Sequence, residues 1–91
     1  MRTETVTILN ETGLHARPAS LFVQTASRFK AEVSLEKSGK RVTAKSILGV
    51  LSLGVTQGDQ VVLTCVGPDE EEALGQLVEL VHSKFGEKSE A

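Results

Sequence analysis

Tryptophan and tyrosine are absent and phenylalanine occurs only three times, so the chain offers no aromatic platform on which bases could stack. Charge of one sign is also lacking. Ten Lys and Arg are interspersed with twelve Asp and Glu, for a net charge of −2, and no basic stripe is left to follow a phosphate backbone. Nucleic acid is therefore not an expected ligand. The single cysteine, Cys65, excludes an internal disulfide and fits a reducing compartment. Within the apolar run V-V-L-T-C-V it reads as a buried, inert thiol. Two histidines and one cysteine make a poor zinc set, so no metal or other cofactor is expected. The N-terminus, M-R-T-E-T-V-T-I-L, has no long apolar region of the signal-peptide kind, and no apolar run approaches the roughly 18 residues of a membrane span. The expectation is a cytoplasmic protein that does not insert into membranes.

What is present suffices for one core. At 91 residues with 40% apolar and 24% charged residues, the chain has the composition of a single globular domain, not of a disordered segment. The expected limits are 1–86 for the domain and 87–91 for a polar tail that frays.

Thr3 to Leu9 alternates polar residues with Val6 and Ile8, the period of a half-buried strand. After turn residues Asn10 to Gly13 the period changes: Ala19, Phe22, Val23 and Ala26 mark one face of a helix beginning near Ala16. Pro18 fits only its first turn, which puts His15 at or beside the N-cap. Ala31 to Lys37 and Lys40 to Thr43 flank Ser38-Gly39 as a hairpin. Lys45 to Gly54 reads as a short helix capped by Ser46 and stopped by Gly54, and Gln60 to Val66 as an inner strand. Asp69 with Glu72 three residues on suggests a capping box, and Glu70 and Glu71 suit the positive end of a helix dipole rather than a carboxylate catalyst. Leu74, Leu77, Val78, Val81 and Phe85 then form an apolar stripe ended by Gly86. His82 is read as a cation near the helix C-terminus. The order β-α-β-β-α-β-α, with elements of this amphipathic kind, implies an α+β fold: helices on one face of an antiparallel sheet.

T-G-L-H-A-R-P-A, residues 12–19, carries the most specific chemistry. A helix start presents unpaired backbone N–H groups and partial positive charge, a site for an anion. A phosphoryl group on His15 would meet the backbone of Ala16 and Arg17 there, with the Arg17 guanidinium as a further cation and Gly13 allowing close approach of the preceding loop. On spacing alone, a capping histidine beside an exposed arginine is the alternative. Counting from Ser46 puts Val50 and Leu53 inward and leaves Ile47, Leu48 and Leu51 as an apolar patch; the pattern does not decide between docking surface and core.

The segment T-G-L-H-A-R-P-A closely resembles the active-site segment of the HPr family, the histidine-containing phosphocarriers of the sugar phosphotransferase system. K-S-I-L-G-V-L-S-L-G, residues 45–54, resembles that family's second signature around a regulatory serine, and the likeness extends from about Thr3 to Phe85. The resemblance implies an open-faced β-sandwich: a four-stranded antiparallel sheet with three helices on one side. It implies a carrier rather than an independent catalyst, with His15 accepting phosphoryl on Nδ1 from enzyme I, itself charged by phosphoenolpyruvate, and passing it to enzyme IIA. Arg17 would be its electrostatic partner, Ile47, Leu48 and Leu51 a docking surface, and Ser46 a target of HPr kinase/phosphorylase linked to a catabolite-control transcription regulator. Leu48 and Leu51 stand where the regulated subgroup is expected to have methionines, so partner affinities do not carry over. A monomer is expected from the shared transfer surface. Two other readings stay open: a regulatory paralogue acting only through phospho-Ser46, disfavoured because the family likeness implies such proteins lack the histidine, and a small-ligand-binding module.

Overall fold

The computed structural model describes residues 1–86. The order is β1 (Arg2–Thr7), α1 (Ala16–Ala26), β2 (Glu32–Lys37), β3 (Lys40–Thr43), α2 (Ile47–Ser52), β4 (Gln60–Val66), α3 (Glu70–His82) and a 3-10 turn at Lys84–Gly86. The expected tail, 87–91, lies outside the described residues. The strands form one antiparallel sheet in the order β1-β4-β2-β3.

Strand alternation makes two unlike faces. Val6 is opposite Val61, Leu35 opposite Leu63 and Val33 opposite Cys65, and all six are buried. The other face presents Thr3 opposite Thr64 and Glu36 opposite Val62, residues that stay exposed or half-buried. Ala19, Phe22, Val23 and Ala26 of α1, Val50 of α2, and Ala73, Leu77 and Val81 of α3 join the first face in one apolar cluster. The helices therefore cover one side of the sheet and leave the other open, the expected α+β architecture. Each large buried aliphatic here contributes about 1.5–3 kcal/mol of transfer free energy.

The hairpin turn is at Ser38 and Gly39, with φ of 51° and 83°, the double left-handed geometry that matches strand twist. β1 stops at Thr7, short of the expected Leu9. Ile8 is still fully buried, and its N–H donates to Asp59 O at 2.8 Å while its carbonyl accepts from Gly58 N–H at 2.7 Å.

Two expectations for α3 are corrected. Asp69 is the N-cap residue but its side chain makes no cap hydrogen bond. Its carboxylate instead accepts the backbone N–H groups of Lys30 and Ala31, each at 2.8 Å, so it ties the α1–β2 connection to the helix start, and no capping box with Glu72 forms. These bonds, led by that from Lys30, hold the Asp69 carboxyl below its ordinary pKa. Glu70 takes the local role, accepting Gly67 N–H at 3.1 Å. The helix also ends at His82, before Gly86. Lys84 and Phe85 then adopt left-handed φ of 58° and 56°, which turns the Phe85 ring back to meet Phe22 with centroids 6.3 Å apart. Leu77 and Val81 of the expected stripe are buried, whereas Leu74 and Val78 are half-buried against the core.

Candidate functional site

His15 is the N-cap residue of α1. Its backbone is extended, its side chain makes no cap hydrogen bond, and its carbonyl accepts Ala19 N–H at 2.7 Å. With no side chain capping the helix from this position, the N–H groups of Ala16 and Arg17 are the donors that helix geometry leaves without an intrahelical partner. His15, Ala16 and Arg17 are all exposed, so imidazole, backbone donors and guanidinium share one accessible helix end. That combination suits an anion attached to the ring.

The preceding loop is held tightly. Asn10, buried, donates from Nδ2 to Gly13 O at 2.7 Å and to Thr12 Oγ1 at 3.2 Å, and Gly13 N–H returns to Asn10 O at 3.1 Å. Gly13 has φ +61°, and a Cβ there would lie 2.4 Å from Val55 O and 2.7 Å from Thr56 Cα. The expected close approach at Gly13 is thus made against the backbone of residues 55 and 56. Leu14, buried, donates its N–H to Val55 O at 3.1 Å and fastens the loop one residue before the histidine.

Ser46 caps α2, its Oγ accepting Gly49 N–H at 3.1 Å. Gly49, an unlikely helix former by propensity alone, therefore occupies the third helical position, where the cap bond uses its N–H. Val50 and Leu53 are buried as counted from sequence, while Ile47, Leu48 and Leu51 are 43%, 80% and 37% exposed, so the three face solvent and not the core. α2 packs against α1. Leu51 joins Leu14, His15, Ala16, Gly54, Val55 and Thr56 around a shallow hollow of about 290 Å³, which brings one residue of the exposed apolar patch to the histidine.

Sequence reasoning missed what holds this floor. The Lys37 ammonium donates to Gly54 O at 3.0 Å and pairs with Asp59 Oδ2 at 2.8 Å, whereas Lys40 donates to Ser52 O at 3.2 Å, outside the residues that line the hollow. The Lys37 hydrogen bond, with a second from Thr56 N–H, lowers the Asp59 pKa from 3.8 to about 2. Opposite charges separated this far along the chain left no local signal, although T-Q-G-D, residues 56–59, shows a turn. Cys65 is buried as expected, and burial pushes its thiol pKa up. His82 is exposed in the last turn of α3, apart from the residues around the hollow. Among the described residues, no three His, Cys, Asp or Glu converge on a metal position, and no helix is long and apolar enough to cross a membrane.

The family model for the HPr component phosphorylation site of the phosphotransferase system matches residues 2–83. The HPr-like protein Crh of Bacillus subtilis is 54% identical over 74 residues, covering 81% of this chain and 87% of the relative; it is described as that organism's catabolite-repression HPr and is also known as a dimer. HPr-C-His of Thermoanaerobacter tengcongensis superposes with a TM-score of 0.96 at 57% identity, covering 98% of this chain and all of the other. An HPr dimer from the same organism gives 0.78 at 59% identity, covering 96% and 100% of the two chains. Its extended histidine at the open start of α1, its one-sided sheet and a family match along almost its whole length lead to one conclusion: the chain belongs to the HPr family of phosphocarriers of the phosphotransferase system.

Proposed function

We propose that this chain, with 1–86 acting as one domain, relays a phosphoryl group on His15 from phosphorylated enzyme I to enzyme IIA in the cytoplasm. The observation that carries the reading is the exposed His15 ring at an α1 start that has no side-chain cap, with Arg17 two residues on. In the first step an imidazole nitrogen, Nδ1 by family likeness, forms a bond to phosphorus as the bond between phosphorus and the donor group of enzyme I breaks, and the donor group keeps the electron pair. The second step repeats this in the opposite role. Ala16 and Arg17 N–H groups and the guanidinium stabilise the transferring oxygens. An open helix end suits a carrier better than a closed pocket, because the group must leave as readily as it arrives.

Ile47, Leu48 and Leu51 are the docking surface for both partners. Ser46 is the regulatory position, open to HPr kinase/phosphorylase and read by a catabolite-control transcription regulator. Phosphate at this N-cap keeps favourable dipole interactions, but its charge beside the apolar patch opposes docking of an acidic partner. The kinship with Crh favours a second reading, a regulator phosphorylated on Ser46 alone. The dimeric relatives bear against the expected monomer, and sedimentation decides it.

The test is intact mass after incubation with enzyme I and phosphoenolpyruvate. The parent is expected to gain one acid-labile phosphoryl group and His15→Ala none. No gain in the parent, or equal gain in the variant, overturns the carrier reading.

A further inference from the structure

Lys37, at the end of β2, belongs to neither signature segment, yet its ammonium bridges Gly54 O at 3.0 Å and Asp59 Oδ2 at 2.8 Å. The same Oδ2 accepts Thr56 N–H at 2.8 Å and Thr56 Oγ1 at 3.1 Å, and Asp59 N–H donates to Thr56 O at 3.0 Å. Residues 54–59 are therefore closed on themselves and pinned to the sheet by one lysine. The other side of this segment supports the approach to His15. Asp59 O and Gly58 N–H hold Ile8, Gln57 Nε2 donates to Leu9 O at 3.0 Å, Val55 O accepts Leu14 N–H at 3.1 Å, and Gly13 lies against Val55 and Thr56. Both ends of the 8–14 connection thus rest on the segment that Lys37 fastens.

We infer that the Lys37–Asp59 pair is a positioning clasp for His15, setting the depth and direction of its segment through Val55 and Thr56 without touching the phosphoryl group. The pair is fit for this. Its side chains retain 24% and 30% of their exposure, so solvent screens the attraction less than between fully exposed charges. Asp59 is ionised in the neutral range as any aspartate is, and the Lys37 and Thr56 hydrogen bonds, which lower its pKa to about 2, keep it charged into the acid range. Lys40, opposite Lys37 across the hairpin, provides a built-in control: it binds Ser52 O at 3.2 Å, and no bond joins it to Asp59 or the 54–59 segment among the described residues. The kinetic side of the inference rests on the phosphocarrier reading. The geometric side does not.

The experiment combines amide hydrogen exchange with phosphoryl uptake from enzyme I, in the parent and in Lys37→Met, Lys37→Arg and Lys40→Met. Lys37→Met is expected to speed exchange at Leu14 N–H about tenfold while the β2–β4 amides keep their protection. It is also expected to lower kcat for uptake about tenfold with KM little changed, as misplacement of a reacting group does. Lys37→Arg, still able to bridge a carbonyl and a carboxylate, should restore both values, and Lys40→Met should leave exchange at Leu14 N–H at the parental level. Parental exchange at Leu14 in Lys37→Met, equal loss of protection across β2 and β4, a change in KM alone, or failure of Lys37→Arg to restore exchange each overturns the clasp. A parent that takes up no phosphoryl group overturns the carrier reading instead, and the exchange data then decide the clasp by themselves.

Discussion

Gly13 is caught between two constraints that a side chain would violate together. Its left-handed φ disfavours any Cβ by about 1–2 kcal/mol, and the position that Cβ would take is 2.4 Å from a backbone oxygen, which must shift to relieve the contact. Gly13→Ala is therefore expected to destabilise the fold by about 2–4 kcal/mol, adding overpacking to strain. Gly39→Ala provides the contrast: φ is +83° but nothing lies within 4 Å, so about 1 kcal/mol is expected. Urea midpoints compare the two, and equal losses would contradict the role given to Val55 O. The placement of His15 and Arg17 at the start of α1 and the close approach at Gly13 were legible because these residues are neighbours in the chain. Val55, the partner that makes Gly13 necessary, was not, because no residue-level pattern ties a loop to a backbone oxygen so far along the sequence.

At the scale of elements, α2 is short and leans on both its ends. Ser46 supplies the N-terminal bond to Gly49, and Lys37 and Lys40 meet the carbonyls at the other end, Gly54 and Ser52, where cations suit the dipole. Ser46→Ala should destabilise by about 1 kcal/mol through loss of the cap. Ser46→Asp keeps an oxygen acceptor there, so near-parental stability is expected, with phosphoryl uptake from enzyme I slowed about tenfold by charge beside Leu48 and Leu51. Uptake at the parental rate would remove Ser46 from control of docking. The cap was readable because Ser46 precedes an apolar-periodic run. The capping box at α3 was misread for a physical reason: Asp69 has the right chemistry for a local bond, but Lys30 and Ala31 bring two N–H groups to it and tertiary contact wins. Phe85 likewise lies in the core as expected but beyond the end of the helix, because periodicity reports which residues are buried and not the two left-handed residues that bring the ring there.

For the whole molecule, three carboxylates contribute to the acid limb of stability. Asp59, Asp69 and Glu70 all have folded pKa values below ordinary ones; for Glu70 the leading cause is the Met1 ammonium, 2.8 Å away. Groups with depressed pKa bind fewer protons in the folded state, so their stabilisation is full above the unfolded values and is lost as pH falls through the folded ones. For Asp59 that window runs from above 3.8 down to about 2. Thermal midpoints should change little in response to these groups between neutrality and about pH 5, then fall towards pH 2. Asp59→Asn should lie below the parent at neutral pH, with the gap closing near pH 2 and narrowing in high salt. A gap of constant size would show that the carboxylate charge is not what stabilises. The overall architecture was the most legible level, since the alternation of Val33 and Leu35, and of Val61, Leu63 and Cys65, needs only one face to be buried to define the sheet.

The sealing of Cys65 in β4 reaches beyond packing. It is the chain's only cysteine, it is buried, and its environment disfavours the thiolate on which alkylation and disulfide exchange depend. While folded, the molecule therefore presents no competing sulfhydryl to aqueous reagents. A cysteine introduced on the uncovered sheet face, at exposed Thr5 for instance, would become the single point at which a fluorophore can be attached, on the side of the sheet away from the helices and His15.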